Sequence, residues 1–405
     1  VPVWRQLVLF GFLHLLILGI WLNFSSFQVR IHPDVELYFG YADLIFSGNL
    51  PYRDFTVEYP PLAFLFLVIP RLFSADLAGY ADGFAVLMVG VDIAGMIFLS
   101  RIARALGLPH FKTILVYTVV FYLLGDIVIN RFDAVPAVMS LSAIYFYVAG
   151  KNKTAWFVLA LGVLTKIYPA VLAPLFAIPY LYRREYRPLF KGVAVFILSG
   201  TVFCLPFLIA DPAGFWEFVS FHSERGLQLE SGYASLLMLA DMLELTLVEV
   251  IRAPASVDLQ APASDFLIAA STYVAAVLLI LCYWLYYKKI VKQGVSYQAI
   301  TGYSLGIIAL LLVSTKIFST QFIIWLYPLI PLVAGRLRHP AWIAFGIVGL
   351  LSSYLYPHNY GELMNLEQPA VLFLIVRNAL VTALGVAVIR ETNRNHSLKA
   401  DPVRF

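Results

Sequence analysis

The sequence predicts an all-α fold, a polytopic membrane helix bundle, and three observations carry that prediction. The chain is 61% hydrophobic and 13% charged, with a mean hydropathy of +0.83, whereas a soluble domain of this length exposes far more charge. Apolar runs long enough to cross about 30 Å of hydrocarbon recur to the C-terminus. These runs are continuous rather than alternating, which excludes a β-barrel. Residues 1–405 read as a single integrated bundle. Cys204 and Cys282 both fall inside apolar runs, so they read as small core or lipid-facing residues and not as a disulfide framework.

The spans follow in order. Residues 6–24 form the first, read as a retained helix because no small-residue cleavage site follows it. Arg5 precedes it and places the N-terminus inside. Residues 25–73 then form an external loop, whose last part, 60–73, is apolar but short and broken by Pro70 and Arg71; it reads as a re-entrant or interfacial segment. Spans follow over 80–102, 113–124, 134–148, 154–164, 168–182 and 192–210. A second external loop covers 211–265 and includes an amphipathic acidic stretch with Asp241, Glu244 and Glu249. The remaining spans are 266–287, 297–313, 321–334, 341–355 and 370–388, about twelve in all by length and hydropathy. Every inward turn carries Lys or Arg, as at Arg183, Arg184 and Arg187, and nearly all of the 24 acids fall on the outer side. No repeat supports an inverted-repeat transporter.

Within the first loop, residues 31–61 hold Asp34, Glu36, Asp43, Asp54 and Glu58 among Tyr38, Tyr41, Tyr52 and Tyr59. Asp34 and Glu36 follow His32-Pro33 at the start of an expected interfacial helix. One carboxylate can serve as general base towards a sugar hydroxyl, or the pair can hold a divalent cation, Mg or Mn. The plain alternative is a pair of helix N-terminal acids favoured by the helix dipole, with Asp34 as cap. A second group is cationic: Arg131, Lys166, Arg225 and Lys316 each stand at the outer end of a different span, against the positive-inside bias. Cations from four elements can converge on one phosphate; the alternative is pairing with Asp126, Asp133, Glu217 or Glu224. Most Tyr and Trp read as interfacial anchors, with Tyr38 and Tyr59 as the candidates for sugar contact. Asp92 lies within a span without a nameable partner. His222 and His358 are solitary, which disfavours zinc. The chain has no P-loop, no Rossmann glycine pattern and no G-x-S-x-G, so ATP, NAD and a serine nucleophile lack support. Nothing points to nucleic acid as a partner.

The segments DVELYFGYADLIFSGNLPYRDFTVEYPPL, NRFDAVPA, TKIYPAVLAPL, FHSERGLQLESGY and TKIFSTQFIIWLYPLIPL resemble two related groups. One is the GPI mannosyltransferase catalytic subunit that adds the first mannose. The other is the bacterial polyprenyl-phosphate-mannose α-mannosyltransferases. Both belong to the GT-C superfamily of membrane glycosyltransferases, and the similarity runs in the same order from about residue 34 to residue 331, leaving the first and last spans matched by hydropathy alone. The resemblance implies a GT-C fold with Asp34 in the catalytic-base position. Glu36 stands where the eukaryotic members have the second Asp of D-x-D. Asn130 and Asp133 match the family's polar turn, Lys166 and Tyr168 its lysine-tyrosine-proline element, His222, Arg225 and Ser231 its long-loop element, and Lys316 and Gln321 its late lysine and glutamine.

The expected activity is transfer of mannose, or a related hexose, from a polyprenyl- or dolichyl-phosphate donor to an external glycan or glycolipid, with inversion. A phosphate leaving group needs no acid, so one base suffices, and cations stabilise the charge growing on the phosphate. Asp34 is the base. Lys166 and Lys316, then Arg131 and Arg225, are the phosphate ligands. Glu36, Tyr38, Tyr59, Asn130, Asp133, Tyr168, His222 and Gln321 contact substrate. The protein is expected in the plasma membrane, its site on the external or periplasmic face among membrane lipids. The rivals are a transporter or flippase of a lipid-linked or soluble sugar, which needs polar residues through both halves of the bundle, and a polymerase or ligase with a diphosphate-linked donor.

Overall fold

The computed structural model describes residues 2–23, 32–253 and 256–394, apart from the side chains of Val219, His222, Ser223 and Ala253. It contains two compact units, one formed by Val1–Thr118 and Val128–Glu224, the other by Val119–Ile127 and Arg225–Ala400.

The first unit begins with α1 (Val3–Asn23), followed by the two short loop helices α2 (Pro33–Phe46) and α3 (Ala63–Arg71). Then come α4 (Leu77–Ala105), α5 (His110–Leu124), which runs on into the second unit, and the single turn α6 (Asp126–Ile129). The unit continues with α7 (Ala134–Val148), α8 (Asn152–Thr165), a 3-10 turn over Tyr168–Leu172, α9 (Ala173–Arg183), α10 (Tyr186–Ala210) and α11 (Pro212–Glu224). Helix α7 is apolar all round and buried almost throughout, packed between α4 and α8, the burial expected of a helix without a polar face. Helix α8 meets α10 where Gly192 lies against Trp156; a Cβ at Gly192 would fall 2.2 Å from the indole, so only glycine permits that crossing. The outer face of α10 exposes Phe190, Ile197, Leu198, Val202 and Ile209, side chains suited to lipid rather than water.

Polar ladders pin α1. His14 Nδ1 lies 2.6 Å from Asp92 Oδ2, both fully buried; His14 Nε2 is 3.0 Å from Thr118 Oγ1, and Tyr117 donates to Asp92 Oδ1 at 2.8 Å. Two turns away, His110 bridges Gln6 at 2.9 Å and Ser100 at 2.5 Å. The partners of Asp92, which the sequence leaves unnamed, are therefore His14 and Tyr117.

The second unit holds α12 (Gly232–Met242), a hairpin of β1 (Glu249–Ala253) and β2 (Ser256–Gln260), α13 (Ser264–Gln293), α14 (Tyr297–Ser314), α15 (Arg338–Ser353), α16 (Tyr360–Met364) and α17 (Gln368–Arg394). Helix α17 packs against α12, α14 and α15. The hairpin corrects the expectation of an amphipathic acidic stretch reaching Glu249: Val250 pairs with Leu259 and Ile251 with Asp258, and Leu259 joins an apolar cluster with Leu227, Leu229, Leu355 and Leu374. The expected span over 321–334 is a succession of 3-10 turns, Thr320–Trp325 and Ile330–Leu332, because Pro328 and Pro331 offer no backbone N–H to an α-helix.

Among the described residues seven helices are long and apolar enough to cross a membrane, including Val3–Asn23, Leu77–Ala105, Ser264–Gln293 and Gln368–Arg394, and shorter apolar helical segments cover His110–Leu124, Ala134–Val148 and Thr320–Leu332. Apart from 321–334, the expected spans lie mainly on these helices or on α8 and α9. The loop helices, 14 and 9 residues long, are too short to cross.

Candidate functional site

Helix α2 starts where His32-Pro33-Asp34 dictates. His32 is extended at the N-cap and Pro33 occupies the first turn together with Asp34 and Glu36, where proline needs no N–H and acids meet the positive end of the dipole. The rest of the loop is folded onto the unit. Tyr52 takes a positive φ of 71°. Its hydroxyl donates to the Tyr59 carbonyl at 2.6 Å, and its ring meets Phe64, Phe207 and Phe215. Gly214 admits this docking, since a Cβ there would lie 2.0 Å from the Tyr52 carbonyl oxygen. Leu62 N–H donates to the Leu164 carbonyl at 2.9 Å, tying the loop to α8.

The five acids of the loop have different occupations. Asp43 is held by Arg71 at 3.0 Å. Asp54 is held by Arg53 at 2.8 Å and by the Leu50 N–H at 2.7 Å. Glu58 is half-buried and its charge reaches Tyr38 and Tyr59. Glu36 is exposed. Asp34, 26% exposed, forms an ion pair with Arg131, whose side chain is 4% exposed. Two positions apart on one helix, the side chains of Asp34 and Glu36 diverge by roughly 200°. Of the expected Asp34–Glu36 pair, one carboxylate is clamped by an arginine while the other is exposed. Among the described residues no cluster of three His, Cys, Asp or Glu is placed to hold a metal.

Arg131 reaches Asp34 with Nη1 and donates to His32 Nε2 with Nη2 at 3.4 Å. The other imidazole nitrogen faces the Asp34 N–H at 3.4 Å. Both neighbours are donors, so a neutral ring can satisfy one of them and an imidazolium neither. Burial and then the Arg131 charge push the His32 pKa down to about 3. The sign follows: the folded state binds this proton less readily than the unfolded chain, so the His32 contribution is complete above pH 6.5 and declines as the pH falls towards 3. Thermal melts of the solubilised protein are expected to show a steeper acid loss for wild type than for His32→Gln between pH 6.5 and 4, by up to about 1.4 kcal/mol per pH unit. Superimposable pH profiles would contradict this.

Lys166 ends α8 and donates to Asp133 Oδ1 at 2.6 Å, with Asp133 buried at the start of α7. This is one of the pairings open to the cation from the sequence, whereas Arg131 chooses Asp34. Asn130 and Tyr168 are buried, and the Tyr168 hydroxyl accepts from Ser140 at 3.4 Å. Tyr38 and Tyr59, expected as sugar contacts, are buried as well. Their rings pack on Phe84 and Phe132, which leaves no face for stacking. Their hydroxyls lie 3.4 Å apart. Burial, reinforced by the charges of Asp133 and Glu58, holds the Tyr38 phenol well above its ordinary pKa, and burial does the same for Tyr59, so both remain O–H donors at working pH.

In the second unit Lys316 Nζ donates to the Arg225 carbonyl at 2.5 Å, and the Gln228 N–H donates to the Lys316 carbonyl at 3.1 Å. Burial and then Arg225 push the Lys316 pKa down, against a raising contribution from Asp258. Gln321 accepts from Ser319 Oγ. His222 lies in α11 with its side chain outside the described residues. The residues missed from the sequence are Glu230, Thr320, Arg377 and Asn378, a buried polar network whose one visible signal is a lone arginine in the last apolar run.

No protein-family model matches the chain, and no curated protein matches it. Among the solved structures similar to it are two of one protein. The crystal structure of ArnT from Cupriavidus metallidurans bound to undecaprenyl phosphate superposes with a TM-score of 0.51 at 13% identity, covering 95% of this chain and 77% of that one. The apo form of the same protein gives 0.50 at 12%, covering 95% and 76%. The likeness is one of fold: the chain is an all-α polytopic membrane helix bundle with the architecture of these structures.

Proposed function

We propose that this protein is an integral membrane glycosyltransferase that moves mannose, or a related hexose, from a polyprenyl-phosphate donor to an external glycan or glycolipid, with inversion. The observation that carries the proposal is a partly exposed carboxylate, Asp34, held at a helix N-terminus by the buried Arg131, which lies two residues before Asp133, the buried partner of the half-buried Lys166. The fold supports it, since ArnT shares the architecture and was crystallised with undecaprenyl phosphate.

Asp34 takes the proton of the acceptor hydroxyl as that oxygen bonds to the anomeric carbon. The bond from that carbon to the phosphate oxygen breaks on the opposite face, and the phosphate leaves with the electron pair. In the first unit Arg131 and Lys166 are the cations assigned to its charge; Lys316 and Arg225, in the second unit, keep the assignment that the sequence resemblance gives them. No step is assigned to Mg or Mn. Asn130, Tyr168, Tyr38 and Tyr59 are buried, the last two with their hydroxyls 3.4 Å apart, and are assigned to the walls of the substrate site. His222 and Gln321 are assigned to substrate. The protein sits in the plasma membrane with Asp34 on the external face.

The test is incubation of membranes with polyprenyl-phosphate [¹⁴C]mannose, with dolichyl and undecaprenyl carriers and with other hexoses as competitors. Labelled lipid or glycan product is expected, surviving EDTA and inhibited by free polyprenyl phosphate. Passage of the lipid-linked sugar across vesicles with no product formed would replace the transferase by a flippase.

A further inference from the structure

Arg225 and Lys316 stand on two short runs of irregular backbone and turns, 225–231 and 316–321, and neither run is part of a long helix. Where the first begins and the second begins, they hold each other: Lys316 Nζ to the Arg225 carbonyl and the Gln228 N–H to the Lys316 carbonyl. Further along, both runs meet the same guanidinium. Arg377, in the middle of α17 and fully buried, donates from Nη2 to the Glu230 carbonyl at 3.0 Å. Its Nη1 donates to Glu230 Oε2 at 3.3 Å and to Thr320 Oγ1 at 2.9 Å. The Phe318 ring lies 4.7 Å from its cationic carbon. Thr320 also donates to Glu230, and Asn378 completes the frame with bonds to the Glu230 carbonyl at 3.1 Å and to Ser235 Oγ at 2.7 Å.

A charge in the middle of an apolar helix is costly and persists where it is paired and hydrogen-bonded throughout. An apolar side chain would fill this volume without that cost. What it would lack is a planar fork that bonds two separate chain segments in one geometry. We propose that Arg377 is a positioning residue: it registers run 225–231 against run 316–321 and so sets the placement of Arg225 and Lys316, and through them the affinity for the donor phosphate. The link to affinity rests on the assignment of Arg225 and Lys316 as phosphate ligands; the registration of the two runs does not.

The experiment uses the full chain in nanodiscs, with the variants Arg377→Lys, Thr320→Val and the charge-balanced pair Arg377→Met/Glu230→Gln. Lysine keeps the charge and loses the fork. For Arg377→Lys, the KM for polyprenyl-phosphate mannose is expected to rise about tenfold with kcat changed by less than about threefold, since uniform binding is what is lost. Inhibition by free polyprenyl phosphate should weaken by the same factor. Thr320→Val, which removes an acceptor for Arg377 and a donor to Glu230 but no charge, is expected to give a smaller shift in the same direction and keeps the test open should Arg377→Lys fail to fold. Two further readouts do not depend on turnover: acylation of Lys316 by an amine-reactive reagent, and hydrogen exchange at the Gln228 and Ser231 amides. Both should accelerate several-fold in Arg377→Lys at unchanged melting temperature. If wild type transfers nothing while these two readouts shift, the transferase assignment fails and the registration stands. Unchanged Lys316 reactivity and unchanged KM in folded Arg377→Lys would overturn the proposal, as would losses in all three variants that merely follow the fall in melting temperature.

Discussion

Asp34→Asn is expected to lower sugar transfer by about 10³-fold while the protein still folds, the loss typical of removing a general base. The amide keeps an oxygen that can accept from Arg131 and keeps the side-chain volume, so the start of α2 retains His32, Pro33 and most of its hydrogen bonding. What it lacks is a lone pair basic enough to take a proton. The cost to stability is expected to be smaller than the cost to rate, because Asp34 is partly exposed, although Arg131 then stands with a neutral partner in a buried position. Alanine would remove that partner outright, so asparagine is the cleaner variant. Glu36→Gln is the control. That side chain is exposed, and its replacement should leave turnover within about threefold, as surface changes usually do. Normal transfer by a folded Asp34→Asn protein would remove Asp34 from the chemistry. A collapse with Glu36→Gln as large as with Asp34→Asn would restore the idea of a paired-carboxylate cation site.

The difference between these two acids was only half legible in the sequence. The motif His32-Pro33-Asp34 announces a helix start, and it begins there. Which of the two acids turns inward depends on the rotation of α2 against the unit, and no local pattern encodes that. The spans were legible because hydropathy needs no periodicity to register, and α1, α4, α7 and α17 fall where the apolar runs lie. The hairpin was legible in principle: Val250, Ile251, Val257 and Leu259 are β-formers in short alternating runs, but the acids around them read as an amphipathic stretch. Arg377 and Asn378 carried a signal that went unused, a charge-amide dipeptide inside an apolar helix. Their partner, Glu230, lies nearly 150 positions away, and such a pairing is set by tertiary packing alone.

Asp92 gives the second large effect, on stability. Its carboxylate has no exposure and two neighbours placed to donate, Tyr117 Oη at 2.8 Å and His14 Nδ1 at 2.6 Å. Asp92→Leu leaves His14 Nδ1 buried without its acceptor, while Tyr117 keeps the main-chain carbonyl of residue 92 at 3.0 Å, and His14→Leu leaves the carboxylate short of a donor. Either single change is expected to destabilise the bundle by about 3 kcal/mol, the range for breaking one side of a buried polar pair. The double change His14→Leu/Asp92→Leu removes both needs together and puts apolar surface where α1 meets α4. It should therefore recover at least about half of either loss, because an apolar replacement of a whole buried pair is often close to neutral. Unfolding in graded SDS, read by tryptophan fluorescence, measures all three. Single losses that simply add in the double variant would show that the two side chains act separately. Turnover per folded molecule should stay near wild type in every case, since these residues fasten α1 to α4 and α5 and touch none of the groups around Asp34.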